Sequence, residues 1–277
     1  MTMRNNKEAV IPGLTRNLGS FAFLLTMTAL LLSGCEKEIV LDYDEASSRL
    51  VIEGEVTPGN GPHEVRISRS VTFTEPNVLP AVENATVTIT DDQGDDEALV
   101  HQGGGVYRST GLLSGAPGHT YTLTVAVDGE TTTGSSTMPV EVSLDTLSVD
   151  SLSVFGNVNL IVVPIYTDPA GIVNYYRLRV RVNGTKWPLV FARDDRLSDG
   201  QVNGQPLFNN DEPVEPGDLL SVDLLTIDET VFNYWSTLES FTSSGGVAPA
   251  DPTSNLSGNV LGYFSAHSIS TVTLVVP

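Results

Sequence analysis

Short runs of alternating apolar and polar residues, separated by turn residues about every 8–12 positions, make up most of the chain after Leu50. Because successive side chains of a strand point to opposite faces of a sheet, such runs predict strands with one buried face. Many short strands joined by Gly- and Pro-containing turns are typical of sandwiches and barrels. The sequence therefore predicts an all-β fold.

The strand pattern divides into two predicted β-sandwich domains. Residues 49–139 form the first, which includes an Asp128-Gly129 hairpin signal, and residues 140–277 form the second. The motif order A-x-V-x-V, G-x-Y and PG-x-x-Y-x-L-x-V in the first domain resembles immunoglobulin-like modules of bacterial surface proteins. The residues that carry this resemblance are Ala85, Val87, Ile89, Gly105, Tyr107, Pro117, Gly118, Tyr121, Leu123 and Val125.

One segment departs from the alternation. In ETVFNYWSTLESF, residues 229–241, the large apolar side chains recur at intervals of three and four, which predicts a helix. Asp228 is placed to cap its N-terminus. An aromatic stripe that includes Trp235 is typical of a helix packed on a sheet, and the alternative is a groove that holds a ligand or partner.

A row of arginines is the main basic feature of the second predicted domain. In the run YYRLRVRV, Arg177, Arg179 and Arg181 share one face of a strand, opposite the apolar face. This row is interpreted either as a solvated face paired with acids on a neighbouring strand or as a contact for a ligand or partner. With Trp235, the three arginines are the candidate partner-contact residues.

The N-terminus has the parts of a secretory signal peptide. A basic start is followed by the apolar run FAFLLTMTALLL, residues 21–32, which is too short to span a membrane. The run ends in LSGC, which resembles the lipobox of bacterial lipoproteins. That resemblance implies that residues 1–34 are removed and that Cys35, the single cysteine, carries a lipid through its sulfur. Residues 35–48 are interpreted as an acidic tether. The stretch EKEIVLDYDE within it resembles the surface-export tethers of outer-membrane lipoproteins, which implies the outer membrane and the cell surface over its periplasmic face. The other interpretation is a solvated linker, and the two are compatible.

Charge excludes some functions. The chain has a net charge of −20, and because residues 1–34 contain three bases and one acid, the remainder carries −22. Such a surface repels phosphates, so no nucleic-acid partner is expected.

The sequence indicates no catalytic residues, no cofactor and no metal site, so we expect a protein that is not an enzyme. The Gly-x-Ser-x-Gly, His-Glu-x-x-His and Walker patterns are missing. Two acidic turns, residues 91–97 and 194–200, have enough carboxylates to raise the question of calcium. Neither has EF-hand spacing, and acid-glycine clusters are also ordinary turns, so the question stays open.

The C-terminal stretch DPTSNLSGNVLGYFSAHS, residues 251–268, resembles the signature of a Bacteroidota outer-membrane lipoprotein family, domain-of-unknown-function 4249. The match is carried by Pro252, Asn255, Gly258, Leu261, Gly262, Tyr263, Phe264, Ser265 and Ala266. From the residues themselves, we expect the glycines to allow close backbone approach at the start of a strand, and one of Tyr263 and Phe264 to fill a core.

The family resemblance implies two β domains and association with TonB-dependent outer-membrane transporters, with no catalytic residues. On that basis we expect a non-enzymatic accessory or substrate-capture subunit of such a transporter. The alternative is a surface adhesin or glycan-binding module, in which Trp187, Trp235 and tyrosines stack on sugar rings. An exposed aromatic row would favour the adhesin, and an exposed apolar patch would favour a protein partner.

Overall fold

Seventeen strands and one helix are found in the residues that the computed structural model describes, 48–72, 78–154, 157–244 and 251–277. The strands are β1 (Leu50–Val56), β2 (Glu64–Arg69), β3 (Thr86–Asp91), β4 (Asp96–Ala98), β5 (Val100–Gly103), β6 (Val106–Arg108), β7 (Thr120–Val127), β8 (Glu130–Thr137), β9 (Leu144–Val154), β10 (Asn157–Thr167), β11 (Tyr175–Val182), β12 (Thr185–Lys186), β13 (Phe191–Asp194), β14 (Val202–Asn203), β15 (Leu219–Ile227), β16 (Leu261–Ala266) and β17 (Ser268–Val275). The helix, α1, spans Glu229–Ser244. The predicted all-β fold is confirmed.

The first sandwich packs two sheets over one apolar core. One sheet has the strand order β16-β1-β2-β6-β5 and the other β4-β3-β7-β8. Alternate residues of these strands, such as Ile52, Ile67 and Leu123, are fully buried between the sheets. The predicted Asp128-Gly129 hairpin joins β7 to β8, and both residues have positive φ, 53° and 83°, as a two-residue hairpin turn requires.

The second sandwich has the same construction from different strands. A sheet of order β14-β10-β9 faces a sheet of order β12-β11-β15-β17, in which β13 also pairs with β11. The core between them includes Tyr176, Leu178 and Val180 of β11. This confirms the predicted apolar face of the YYRLRVRV run.

Helix α1 confirms the prediction of a helix laid on a sheet, three residues longer than predicted. Its stripe includes Val231 and Trp235, which are buried in a small cluster with residues of β15 and β16. The Oδ1 atom of Asp228 accepts a hydrogen bond from the Val231 backbone N–H at 2.9 Å, which is the predicted cap. The Oδ2 atom of Asp228 accepts bonds from the Ser136 hydroxyl and the Thr137 backbone, so the cap also joins the helix to β8.

The C-terminal signature belongs to the first sandwich. The sequence predicts a second domain over residues 140–277, but β16, which lies within this range, pairs in parallel with β1, with Val51 opposite Leu261. β17 pairs with β15 in the second sandwich, as predicted. Phe264 of β16 is fully buried in the first core. Only His267 separates β16 from β17, so the chain passes from one sandwich to the other over a single residue.

Two residues of the signature explain this pairing. Gly262 has a φ of 100°, and a Cβ built there would lie 1.9 Å from the carbonyl oxygen of Ile52, so only glycine fits beside β1. The Asn255 side chain accepts a bond from the Phe264 N–H at 3.0 Å and donates one to the Phe264 carbonyl at 2.7 Å. Asn255 therefore satisfies the outer edge of β16 as a neighbouring strand would. The expected close backbone approach is confirmed.

Candidate functional site

The arginine row lies against the first sandwich. Arg177 is 5 % exposed, and the side chains of Arg179 and Arg181 are 13 % and 35 % exposed. The carboxylate of Glu55, on β1, lies between the first two. Its Oε2 is 3.1 Å from Nη1 of Arg179, and its Oε1 is 3.8 Å from Nη1 of Arg177.

A second buried acid continues the row. Asp223, on β15, is 2 % exposed, and its Oδ2 lies 2.7 Å from Nη1 of Arg181 and 3.4 Å from Nε of Arg179. The hydroxyl of Thr271 on β17 donates to its Oδ1 at 2.9 Å. Charges therefore alternate along one line, Arg177, Glu55, Arg179, Asp223, Arg181, which we call the charge ladder.

Aromatic rings close one end of the charge ladder. The guanidinium carbon of Arg177 is 3.3 Å from the centroid of the Trp235 ring, a cation–π contact. Tyr263 packs edge-on against Trp235 at 4.8 Å between centroids and donates its hydroxyl to Oε1 of Glu55 at 3.0 Å. Tyr263 and Phe264 thus face opposite ways, as predicted, and Phe264 is the one that fills a sandwich core.

The charges of the ladder are set by its burial. Burial alone would raise the pKa of Glu55, but it is lowered to about 2 by His267, which is protonated in the acid range where Glu55 titrates, by the positive charges of Arg179 and Arg177, and by the Tyr263 hydroxyl. Burial lowers the pKa of His267 to about 4, so this ring is neutral at neutral pH. Burial also raises the pKa of Tyr263, which keeps its proton for the bond to Glu55.

The ladder fits a structural junction better than a reactive centre. The Ser265 hydroxyl lies 3.0 Å from Nδ1 of His267, which is a nucleophile-to-base distance. Ser265 is 2 % exposed and His267 is fully buried, so a substrate has no access to either. The four predicted contact residues, Arg177, Arg179, Arg181 and Trp235, are thus brought together, but around two acids of the same chain, Glu55 and Asp223. Their contact with a separate partner stays a prediction.

The two acidic turns use their carboxylates within the fold. Asp91 accepts hydrogen bonds from the backbone of Gln93 and Asp95, both at 2.9 Å. In the second turn, Asp195 accepts from the Asn174 backbone and Asp199 from the Gly171 backbone, each at 2.6 Å. Within the described part of the chain, no group of three or more His, Cys, Asp or Glu side chains is arranged to hold a metal ion.

The turn at 195–201 instead supports an exposed apolar surface. The hydrogen bonds that Asp195 and Asp199 accept from Asn174 and Gly171 tie this turn to the loop after β10. These two loops and the start of β14 carry four exposed aliphatic residues, which we call the loop patch: Ile172 (60 % exposed), Val173 (70 %), Leu197 (100 %) and Val202 (68 %). A groove of about 520 Å³ runs beside Leu197 and Val202 toward Phe232 of α1.

Most of the described aromatic side chains are buried or half-buried, unlike the aliphatic residues of the loop patch. Trp187 is 2 % exposed and Trp235 is 6 % exposed, so neither predicted sugar-stacking ring reaches the surface. Of the aromatic side chains whose exposure the structure describes, Phe208 alone is exposed, at 50 %. An exposed aromatic row is therefore missing from the described residues, and an exposed aliphatic patch is present.

Two predictions fall on the N-terminal segment. The signal peptide and Cys35 lie outside the described residues. Among the residues that are described, no helix has both the length and the apolar character needed to cross a membrane.

Comparisons with known proteins give a family and several solved structures that match the chain. The family model described as "Domain of unknown function (DUF4249)" matches residues 36–273. None of the curated proteins matches the chain. Among solved structures, a two fibronectin type-III domain segment from chicken tenascin is 14 % identical, with 82 % of this chain and 99 % of that one covered and a TM-score of 0.25.

Proposed function

We propose a function for this chain that starts from its family: the chain belongs to the DUF4249 family. In our proposal it is a non-enzymatic lipoprotein of the outer membrane in Bacteroidota, tethered by a lipid on Cys35. It binds a TonB-dependent outer-membrane transporter as an accessory or substrate-capture subunit, on the cell surface rather than on the periplasmic face of the membrane. The second candidate is an adhesin or glycan-binding module.

The sequence supports the anchor. The apolar run at residues 21–32 leads into LSGC, residues 32–35, and the cysteine is the only thiol in the chain. The acidic residues that follow suit a hydrated tether, because like charges repel one another and extend a linker. A tether of this kind lets the folded part reach a neighbouring membrane protein.

The loop patch is the observation that carries the choice of partner. The loop patch exposes four aliphatic residues by 60–100 % on two loops that hydrogen bonds join. Exposure of this apolar surface to water costs free energy, which burial against a partner would recover. Sugar-binding surfaces instead use exposed aromatic rings, and both tryptophans here are buried. The balance of exposed apolar residues thus favours a protein partner over a glycan.

The charge ladder suits the same role. It links β1 of the first sandwich to β11 of the second through ion pairs of 3.1 and 3.8 Å. A platform fixed in this way loses less conformational freedom on binding than two loosely joined domains would. A net charge of −20 also gives the platform a long-range attraction for basic surfaces of a partner.

Purification from native membranes tests this proposal. Wild-type protein extracted in mild detergent should partition into the detergent phase and bring a TonB-dependent barrel with it. Leu197→Ser should reduce recovery of the barrel at least about fivefold, because it removes the most exposed apolar side chain of the patch. Leu112→Ser is the matched control, because Leu112 is 81 % exposed in the first sandwich, and it should leave recovery unchanged.

Two results would contradict parts of the proposal. If Cys35→Ala partitions into detergent as the wild type does, the protein is not anchored through that sulfur. If the wild-type protein is recovered without a barrel but binds purified glycans at micromolar affinity, the adhesin candidate replaces the transporter subunit.

A further inference from the structure

The hairpin β9–β10 has an outer edge whose backbone groups have, along part of its length, no partner among the described residues. β9 pairs with β10 through Val154, and within the described residues it has no ladder on its other side. At its start the edge is covered, because the Leu144 N–H donates to the hydroxyl of Ser270 on β17 at 3.0 Å. From Val149 onward no such cover is present in the part of the chain that is described.

The register of the hairpin shows which backbone groups point outward. Val162 exchanges both backbone hydrogen bonds with Leu207, at 2.9 and 2.7 Å, so its N–H and C=O point away from β9. Val162 is opposite Val149, and in an antiparallel pair the residue opposite such a position also points outward. By alternation, the N–H and C=O groups of Val149, Ser151 and Ser153 face outward.

This edge has few of the usual protections against pairing, since Asp150 is the one charged residue in the run Ser148–Ser153. Exposed edge strands are commonly blocked by lysine, proline or a bulge. The run Ser148–Ser153 contains no lysine and no proline, and the register of the hairpin shows no bulge from Asn157 to Pro164. Ser151, Leu152 and Ser153 are all exposed, so the edge is open to another chain.

An apolar cleft adjoins the same part of the hairpin. It has a volume of about 290 Å³ and is lined by Leu152, Ile161, Phe208 and three asparagines, Asn159, Asn209 and Asn210, with no charged side chain. Leu152 is 45 % exposed at its rim and Phe208, the exposed aromatic ring, is 50 % exposed. A strand added to β9 would place alternate side chains beside Leu152, at this cleft.

The surrounding charge specifies the kind of strand. β9, β10 and the adjoining loop at residues 204–213 contain four acids, Asp145, Asp150, Asp211 and Glu212, and no lysine or arginine. A segment with basic residues would meet an attractive field there, and an acidic one would be repelled. A second copy of the chain, also at −20, would bring its own Asp150 to this edge.

We propose that the outer edge of β9, from Val149 to Ser153, accepts an extended segment of a partner protein that alternates apolar and basic residues. The added strand gains main-chain hydrogen bonds from Val149, Ser151 and Ser153, and its apolar side chains are read at the cleft beside Leu152. This inference deepens the proposed function by naming a surface through which the partner is held, and it rests on that partner being a protein.

Proline at an outward position provides a selective test. Ser151→Pro removes an outward N–H but no hydrogen bond to β10, so the hairpin should remain folded. Ser151→Ala keeps the N–H and is the matched control. The probe is a synthetic peptide, acetyl-KVKVTVKV-amide, and its analogue has glutamate in place of lysine. Binding to full-length protein in neutral detergent is followed by fluorescence anisotropy, and the fold of each variant by circular dichroism.

The lysine peptide should bind wild type and Ser151→Ala equally and Ser151→Pro at least about tenfold more weakly. The glutamate analogue should not bind. If Ser151→Pro unfolds, the test is hydrogen exchange of the wild-type protein. Addition of the lysine peptide should then protect the Val149 and Ser153 amides from exchange, and unchanged exchange would contradict the inference.

The inference would be overturned by failure of the lysine peptide to bind at 1 mM (roughly the weakest affinity worth testing), by equal binding to Ser151→Pro, or by a wild-type dimer that Ser151→Pro abolishes. If Ser151→Pro still co-purifies with a TonB-dependent barrel, the edge inference fails while the proposed function stands. If no barrel is recovered but the peptide binds selectively, the proposed association with a barrel fails while the edge inference stands.

Discussion

Glu55→Gln should lower the free energy of unfolding by about 3 kcal/mol, as expected when one partner of a buried ion pair is removed. The carboxylate neutralises two arginines that are 5 % and 13 % exposed, and its loss leaves Arg177 without an ion-pair partner among the described residues. Glutamine keeps the size of the side chain, so the change reports on charge rather than packing. Chemical denaturation of the full-length protein measures the difference.

Glu53→Gln is the matched control for this variant. Glu53 lies two residues earlier on the same face of β1 but is exposed. Replacing it should change stability by less than about 0.5 kcal/mol. Equal effects of the two substitutions would show that the charge ladder does not stabilise the junction between the sandwiches.

The effect of Glu55 should depend on pH in a defined direction. Its pKa in the folded protein is about 2, below the usual 4.5, so its stabilisation is complete above pH 4.5 and is lost as the pH falls toward 2. The difference between wild type and Glu55→Gln should therefore shrink between pH 4.5 and pH 3. A difference that stays constant over this range would contradict the ion-pair explanation.

His267 adds a second acid-sensitive contribution. Its pKa is lowered from 6.5 to about 4, so the unfolded chain takes up the proton first and the wild type loses stability as the pH falls from 6.5 to 4. Both groups thus act in the same direction. The pH range over which His267 lowers stability lies mostly above the range for Glu55, so one pH series separates the two contributions.

Gly262→Ala should have the largest effect on stability of any single methyl addition in the C-terminal signature. The added Cβ would lie 1.9 Å from the Ile52 carbonyl oxygen, a contact that only separation of β16 from β1 relieves. Overpacking of this kind, together with a φ of 100°, should cost at least about 3 kcal/mol. The expected result is a strongly destabilised protein, measured by thermal and chemical unfolding.

Gly258→Ala separates the clash from backbone strain. Gly258 also has a positive φ, 88°, but a Cβ there would meet no atom within 4 Å. The free energy of unfolding of this control should fall by about 1 kcal/mol, which is the cost of placing an alanine in the left-handed backbone region. If the two variants are equally stable, the close approach of β16 to β1 is not what requires glycine at position 262.

Local patterns in the sequence predicted the elements but not all of their partners. Alternation gave the buried face of β11, the three-and-four spacing gave α1, and Asp128-Gly129 gave a hairpin. These features depend on residues close together in the chain. The parallel pairing of β16 with β1 joins residues about 210 positions apart, and a strand pattern does not specify which sheet a strand enters.

In the charge ladder, too, the sequence predicted the local arrangement but not the long-range partner. The sequence placed Arg177, Arg179 and Arg181 on one face of a strand, which is correct, but did not identify Glu55 as their counter-ion. A signal was present, because Glu53 and Glu55 alternate on β1 as the arginines do on β11. Complementary alternating charges on two strands could have suggested that these faces meet. The exposure of the loop patch, by contrast, depends on how two loops fold and has no sequence pattern of its own.

Site-specific photocross-linking in intact cells tests the central claim most directly. A benzoylphenylalanine at position 197, in the loop patch, should cross-link to a TonB-dependent outer-membrane barrel upon irradiation. The same residue at position 112, which is also exposed but lies in the first sandwich, should give no such product. A barrel adduct at position 197 alone is the result that our account predicts. Absence of any protein adduct at 197, or identical adducts at both positions, would contradict it.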